Sequence, residues 1–162
     1  MITTYIGVGS NIAPEKHVKA AIDELNRLGE ITNISTVYEA ESVGFSSNNF
    51  FNLVVELNVT HSLAELGIQL RAIEIKWGRE QNAQKNQDRT LDLDILLYGD
   101  LVSESDPTLP RDDLFKFAFA ILPMVELNPD LIVPNTQQTI RQIWSEFPYT
   151  QSLKPVVLNL NF

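Results

Sequence analysis

The segment from Asp88 to Tyr98 (DRTLDLDILLY) constrains this chain more than any other. Its apolar alternation predicts a β-strand over 91–98, and residues two apart on a strand point to the same face. Asp92 and Asp94 therefore share one face, while the leucines around them share the other. Adjacent carboxylates repel, and one would be protonated unless a cation lay between them. Because Mg²⁺ prefers carboxylate oxygens and keeps positions open for water and phosphate, this strand predicts a metal–phosphate site.

A simpler interpretation of the two aspartates stays open, namely a polar pair on the solvent face of an amphipathic strand. Asp is depleted in strands, however, and Arg89 just upstream supplies a guanidinium fork that suits phosphate. Five of the twelve Lys and Arg residues lie within residues 71–89, namely Arg71, Lys76, Arg79, Lys85 and Arg89. In a chain of net charge −9, this clustering predicts a binding site for a compact anion. A solvated helix face followed by a basic loop would give the same sequence pattern and stays open as the alternative.

Composition excludes several classes of function. The 162 residues suit a single domain spanning residues 1–162, and the absence of cysteine excludes disulfides and thiolate metal sites. His17 and His61 have no metal-ligand spacing, which disfavours a zinc or copper enzyme. The acidic charge argues against nucleic-acid binding. No apolar segment reaches the length of about 20 residues that a membrane helix needs, and the N-terminus lacks signal-peptide features, so we expect a cytoplasmic protein.

The order of predicted elements indicates a fold class. In chain order they are a strand over 3–9, a helix from Pro14 to Gly29, strands over 31–40 and 50–59, a helix from the Ser62–Glu65 capping box to Gly78, a polar loop over 79–90 and the strand over 91–98. This βαββαβ order is typical of an α+β, ferredoxin-like core. We predict extra C-terminal helices over 112–126 and 137–146, and an edge strand within 155–162.

Five segments, in this order, resemble a known enzyme family. They are 5–12 (YIGVGSNI), 50–54 (FFNLV), 73–79 with its Ile-Glu and Gly-Arg pairs, 89–99 (RTLDLDILLYG) and 108–110 (TLP). Together they resemble the 6-hydroxymethyl-7,8-dihydropterin pyrophosphokinases of folate biosynthesis, over roughly residues 4–135. The resemblance implies a ferredoxin-like fold and an enzyme that transfers a pyrophosphoryl group from ATP to the pterin hydroxymethyl group, releasing AMP.

The resemblance also implies roles for the charged residues. Asp92 and Asp94 match the carboxylates that hold two Mg²⁺ ions, and Arg79 and Arg89 match the catalytic arginines. Two metal ions can clamp the attacking and leaving oxygens of an in-line displacement. Phosphoryl transfer depends largely on positioning and charge stabilisation, which arginines supply.

Further matches concern the two substrates. The implied pterin contacts are Val43, Phe50, Asn52 and Phe119, and the implied ATP contacts are Glu74, Thr108 and Arg111. An amide such as Asn52 can donate and accept at once, which suits the edge of the heterocycle, and aromatic rings can stack on its faces. Core packing is the alternative for the two phenylalanines, and an exposed helical charge is the alternative for Glu74.

The chain departs from the family pattern at several positions, including the segment 39–44, which lacks the family's threonine and proline, and four single residues. Asp88 replaces a proline, Asn86 a tryptophan that closes over the pterin, Arg111 a histidine, and Phe117 an arginine. Because both catalytic arginines and both aspartates are kept, we favour an active enzyme with retuned binding. The alternative is an impaired relative that binds a pterin or nucleotide without turnover. We expect a monomer with ATP and a pterin as its partners, and no nucleic acid or membrane.

Overall fold

The computed structural model describes residues 1–41, 48–79, 88–148, 151–158 and 160. Its strands are β1 (Ile2–Ser10), β2 (Glu30–Ile34), β3 (Val37–Ala40), β4 (Phe50–Val59), β5 (Asp92–Tyr98) and β6 (Leu153–Val156). Its helices are α1 (Pro14–Leu28), α2 (Leu63–Lys76), α3 (Asp113–Lys116), α4 (Ala118–Leu127) and α5 (Ile140–Ser145). None of the helices in these described ranges is long and apolar enough to cross a membrane.

The strands form an antiparallel sheet in the order β5-β1-β4-β3-β6, and β2 pairs with β4 beside this path. The predicted ferredoxin-like α+β core is thereby confirmed. The single strand predicted over 31–40 is wrong, because the chain bends after Ile34 and forms β2 and β3. At the bend, the hydroxyl of Ser35 accepts a hydrogen bond from the Val54 N–H, and the Thr36 N–H donates to Glu126. The Ser35 N–H still donates to the Val54 carbonyl, so side-chain bonds supplement a single backbone contact at the bend.

The predicted C-terminal helices and edge strand are present, but their first and last residues differ from the prediction. The helix predicted over 112–126 is interrupted at Phe117, whose extended backbone (φ −127°, ψ 126°) separates α3 from α4. The helix predicted over 137–146 is the shorter α5, which begins after a capping box of Thr139 with Gln142. The predicted edge strand exists, but β6 begins at Leu153 and ends where its pairing with Val37 of β3 ends.

The sheet has two unlike faces. Helices α1 and α2 cover one face, where the alternating residues Ile6, Val8 and Leu53 are buried with Leu93. On the other face, the second apolar cluster includes Tyr5, Val54 and Leu96 together with residues of α4 and α5. Further along this second face, the strand register brings Gly7 and Gly9 of β1 beside Asp94 and Asp92 of β5. This glycine-lined end is where most of the predicted site residues meet.

Candidate active site

Gly9 lies between two predicted binding residues, and we call the strip of the sheet from Asn52 across Gly9 to Asp92 the groove. On the central strand β1 it pairs with Asn52 of β4 on one side and with Asp92 of β5 on the other. A Cβ atom added to Gly9 would lie 3.2 Å from Asn52 Oδ1, 3.7 Å from Phe50 Cδ1 and 3.9 Å from Asp92 Cβ. These three side chains therefore surround Gly9, and a side chain at this position would meet Asn52. Because strands lie about 4.8 Å apart, the backbones of Asn52 and Asp92 are separated by roughly 10 Å.

The two aspartates share a face, as the strand period predicts. Asp92 pairs with Gly9 and Asp94 with Gly7, and 36% and 28% of their side-chain surfaces are exposed. Burial and the neighbouring carboxylate of Asp92 raise the pKa of Asp94 well above its ordinary range. Two half-buried, mutually repelling carboxylates fit a divalent ion. Among the residues that the structure describes, no group of three or more His, Cys, Asp or Glu could complete a site, so water and phosphates would supply other ligands.

Each aspartate faces an arginine. Arg79 Nη1 lies 3.3 Å from Asp92 Oδ1, and Arg111 Nη2 lies 3.4 Å from Asp94 Oδ1. Arg111 Nε also lies 3.3 Å from Asp113 Oδ2. Burial acts to lower the pKa of Arg111, but the charges of Asp94 and Asp113 outweigh it and raise this pKa. The arginines thus neutralise the carboxylates at which we expect metal ions.

Glu74 connects helix α2 to strand β5. Its carboxylate Oε2 accepts hydrogen bonds from the Leu93 N–H (2.8 Å) and from Arg79 Nη1 (3.0 Å). Gly78, with φ 111°, turns the chain after the helix so that the Arg79 N–H donates to the Glu74 carbonyl. Burial and the charge of Asp92 raise the pKa of Glu74, and only 4% of the residue is exposed. The alternative of an exposed helical charge is therefore wrong, whereas the role in ATP binding stays a prediction.

The predicted cluster of positive charge only partly converges on the site. Arg71 Nη1 lies 3.4 Å from Glu74 Oε1, close to the ion pair of Arg79. Lys76 instead faces Glu24 of α1, with its Nζ 3.1 Å from Oε2. Lys85 lies outside the described residues. On helix α2, Lys76 points about 140° away from Arg71, five residues earlier, which explains its different partner.

Arg89 is held at its backbone by Asn11, which directly follows β1. The Arg89 N–H donates to Asn11 Oδ1 (2.8 Å), and the Asn11 N–H donates to the Arg89 carbonyl (3.0 Å). The Arg89 residue is 7% exposed, and its pKa is lowered by burial and by the charge of Arg79. Asp92 and Glu74 oppose that shift, so Arg89 belongs to the same electrostatic cluster. A polar residue directly after a buried strand was the available signal for Asn11.

The predicted pterin residues lie on the groove side of β4 and at the start of α4. Asn52 is 8% exposed, and its Nδ2 has no hydrogen-bond partner among the described residues. Phe50, two residues earlier, is half-buried on the same face. The ring of Phe119 stacks on Phe117 with a centroid distance of 4.9 Å and an interplanar angle of 9°. Phe117, noted from sequence only as a missing arginine, therefore supports Phe119.

Two predictions about the pterin end concern Phe119, which has a second set of contacts, and Val43, which the structure does not describe. Phe119 also packs against the apolar cluster of the second sheet face, so the core-packing alternative describes part of its surroundings. Val43 lies outside the described residues, as does Asn86.

Thr108 is the remaining predicted ATP contact, besides Glu74 and Arg111. It is exposed and lines a cavity of about 400 Å³. Pro110 and Asp112 line the same cavity, and Arg111 between them reaches Asp94. The Arg111 N–H donates to the Leu96 carbonyl (3.1 Å), which ties this segment to β5. One short segment therefore joins the cavity to the acidic end of the groove.

Comparison with known proteins gives consistent results. Residues 5–129 match the family model for 7,8-dihydro-6-hydroxymethylpterin-pyrophosphokinase (HPPK). The chain is 34% identical over 158 residues to a 2-amino-4-hydroxy-6-hydroxymethyldihydropteridine pyrophosphokinase of Aquifex aeolicus, covering 96% of each chain. It is 33% identical over 142 residues to the protein of the same name from Haemophilus influenzae, covering 85% of this chain and 88% of the other.

Solved structures support the fold. The HPPK-DHPS protein of Plasmodium falciparum aligns with a TM-score of 0.68 and 12% identity, over 90% of this chain and 44% of that one. The chain thus spans less than half of that two-part protein, and at this identity the likeness concerns the fold alone. Family membership rests on the sequence matches, and the relatives named as pyrophosphokinases give no support to the impaired alternative. The chain belongs to the 7,8-dihydro-6-hydroxymethylpterin-pyrophosphokinase family and is an enzyme of folate biosynthesis that transfers a pyrophosphoryl group from ATP to hydroxymethyldihydropterin.

Proposed function

We propose that the pterin occupies the groove over Gly9, with its amide-like edge toward Asn52 and its hydroxymethyl group toward Asp92. The observation that carries this assignment is the set of side chains around Gly9, which are an amide, an aromatic ring and a carboxylate. Asn52 would offer its Nδ2, which has no partner among the described residues, to an acceptor of the ring. Phe50 and Phe119 would contact the faces of the ring, and Val43 would contribute backbone hydrogen bonds.

In the reaction, the hydroxymethyl oxygen bonds to the β-phosphorus of ATP and loses its proton, while the bond from this phosphorus to the α-phosphate oxygen breaks and AMP leaves. We propose that Asp92 and Asp94 hold two Mg²⁺ ions beside these phosphates. Bound Mg²⁺ neutralises phosphate charge and favours an in-line arrangement of the reacting oxygens. The two half-buried carboxylates and the raised pKa of Asp94 fit this role, since a cation would relieve their repulsion.

The arginines would then exchange partners. Arg79 contacts Asp92 at 3.3 Å, and a metal ion on Asp92 would compete for the same oxygen. The released guanidinium could donate to the phosphate group in transfer, where bidentate geometry and full charge both matter. Arg89 is buried in the same cluster and would neutralise a second part of the phosphate charge. Glu74 keeps Arg79 near β5, so its contribution to ATP binding includes this positioning.

We propose that the base and sugar of ATP occupy the cavity lined by Thr108. Arg111 leads from this cavity to Asp94, so it would contact the phosphates between them. The proposed contacts need no residue from a second copy, and we propose a single domain that works as a monomer. ATP and a reduced pterin are small intracellular metabolites, and we therefore place the reaction in the cytoplasm.

The direct test is AMP formation from ATP, measured with both substrates, without the pterin and without Mg²⁺. We expect AMP only when both the pterin and Mg²⁺ are present. Calorimetry with the pterin, in the presence and absence of a non-hydrolysable ATP analogue, measures binding separately from turnover. Binding of both ligands without AMP would support the impaired relative, and absence of pterin binding would refute the assignment of the groove.

A further inference from the structure

Asp88 directly precedes Arg89 and contacts the same residue that holds the Arg89 backbone. Its carboxylate Oδ1 accepts a hydrogen bond from Asn11 Nδ2 at 2.8 Å, while Asn11 Oδ1 accepts from the Arg89 N–H at 2.8 Å. We propose that Asp88 is a positioning residue for Arg89 that acts through the side-chain amide of Asn11. This inference rests on the proposed function, because it assumes that Arg89 contacts the phosphate in transfer.

The amide of Asn11 is well suited to transmit an effect. The residue is 1% exposed, so its polar atoms depend on protein partners. Its Nδ2 also donates to the Asn48 carbonyl at 3.2 Å, and its backbone N–H donates to the Arg89 carbonyl at 3.0 Å. Asn11 therefore connects the end of β1 with Asn48, two residues before β4, and with the segment that enters β5.

The chemistry of the partners fixes the orientation of this amide. A carboxylate such as that of Asp88 only accepts hydrogen bonds when ionised, so it selects the orientation in which Nδ2 points toward it. Oδ1 then necessarily faces the Arg89 N–H. In the opposite orientation, Oδ1 would face the Asp88 carboxylate, and two donors would meet at Arg89. Both contacts of the flipped amide are unfavourable, so the acceptor oxygen of Asp88 stabilises the orientation in which Asn11 holds the Arg89 N–H.

Asp88 occupies the position at which the usual signature of the family has proline. A proline side chain could not accept from Asn11, so this chain has a contact that the family pattern does not contain. Arg89 Nη1 donates to the Asp88 carbonyl at 3.2 Å, which means that the Asp88 backbone also contacts the arginine head group. A shift of residue 88 would therefore displace Arg89 in two ways, through the Asp88 carbonyl that Arg89 contacts and through Asn11. Misplacement of a catalytic group by about 1 Å can cost much of its effect.

The test compares Asp88→Ala with Asp88→Asn, which keeps an oxygen acceptor at the same place. Asp100→Ala is the matched control, because Asp100 is an exposed aspartate just beyond the opposite end of β5. We expect Asp88→Ala to lower the kcat of AMP formation about fivefold, the usual effect of losing one hydrogen bond to a charged group in a partly exposed place. Asp88→Asn should stay within about twofold of the wild type, and Asp100→Ala should match it.

A second comparison separates positioning from a general loss of stability. In an Arg89→Ala background, Asp88→Ala should no longer change kcat, because the group that it positions is absent. An undiminished fivefold loss in that background would overturn the inference, as would a faster enzyme with Asp88→Ala. Hydrogen exchange of the Arg89 N–H should accelerate in Asp88→Ala but not in Asp88→Asn. If the wild type forms no AMP, the proposed function fails. Separately, an unaltered hydrogen-exchange rate of the Arg89 N–H in Asp88→Ala would refute the positioning of Arg89 by Asp88.

Discussion

The two ends of the groove satisfy their polar groups in different ways. At the acidic end, Asp92 faces Arg79 and Asp94 faces Arg111, so the charges are neutralised within the protein. At the pterin end, the buried Nδ2 of Asn52 has no partner among the described residues. A ligand at the acidic end must therefore replace existing ion pairs, and only the difference between old and new contacts stabilises the complex. A ligand at Asn52 instead supplies a missing partner.

This comparison predicts that the acidic end governs rate and the pterin end governs substrate selection. Contacts that form only when ion pairs exchange belong to the reacting complex, and such contacts raise kcat. An unpaired buried donor costs about 1–3 kcal/mol until a ligand satisfies it, which favours a pterin that carries the right acceptor.

The largest effect is expected for Asp94→Ala. Removal of this carboxylate leaves Asp92 as the remaining member of the proposed metal pair, so AMP formation should fall by roughly a thousandfold or more. Mg²⁺ titration of the rate, together with calorimetry of Mg²⁺ binding in the presence of an ATP analogue, measures the change. Asp100→Ala is the control. Near-normal Mg²⁺-dependent turnover in Asp94→Ala would remove this residue from the metal site.

Arg79→Ala should reduce kcat about a hundredfold while the affinity for an ATP analogue changes by less than about threefold. The reason is that Arg79 is bound to Glu74 and Asp92 in the described structure and would reach phosphate only after exchange. Arg141→Ala, which removes an arginine of an exposed ion pair, is the control. A larger effect on affinity than on kcat would place the phosphate contact of Arg79 in the ground state.

Asn52→Ala tests the other end of the groove. We expect the KM for the pterin to rise about 30-fold, because a buried donor–acceptor pair with the ring is lost, while the KM for ATP stays nearly unchanged. Asn33→Ala on β2 is the control, since its side chain is exposed. Equal increases in both KM values would contradict a specific role in pterin binding.

The smallest effect concerns the stability of the ligand-free protein. Burial and the charge of Asp92 raise the pKa of Asp94 in the folded state, so the folded state binds more protons than the unfolded state above the ordinary pKa of Asp. Stability should therefore fall as pH rises from about 4 through the raised pKa. Asp94→Asn removes this penalty, and its Tm without Mg²⁺ at pH 7 should exceed that of the wild type by about 2–4 °C.

Thermal unfolding at a series of pH values checks this prediction. The advantage of Asp94→Asn should shrink as pH falls through about 4, because the carboxyl of the unfolded wild type then becomes protonated as well. Asp100→Asn is expected to follow the wild type throughout. A lower Tm for Asp94→Asn at pH 7 would mean that the ion pair with Arg111 outweighs the cost of burial and repulsion.

Several features of the site could be predicted because they depend on local periodicity. The period of two along β5 places Asp92 and Asp94 on one face, whatever the strand packs against. The capping box at Ser62 and Glu65 is likewise a local contact, and it is present. Phe117 was not predictable in its role, because its stacking on Phe119 requires an extended residue between α3 and α4.

From the amino-acid sequence we could predict most of the element order, the shared face of the two aspartates and the membership in a pyrophosphokinase family, but not the division of β2 from β3 or of α3 from α4. The charges that meet depend on three-dimensional packing: Glu74 is buried against β5, Lys76 faces α1, and Asn11 joins Asp88 to Arg89. These contacts join residues that are far apart along the chain. Periodicity fixes the direction of a side chain relative to its near neighbours. The contact of Glu74 with Leu93 spans 19 positions and that of Asn11 with Arg89 spans 78, so both depend on the register and packing of the whole sheet.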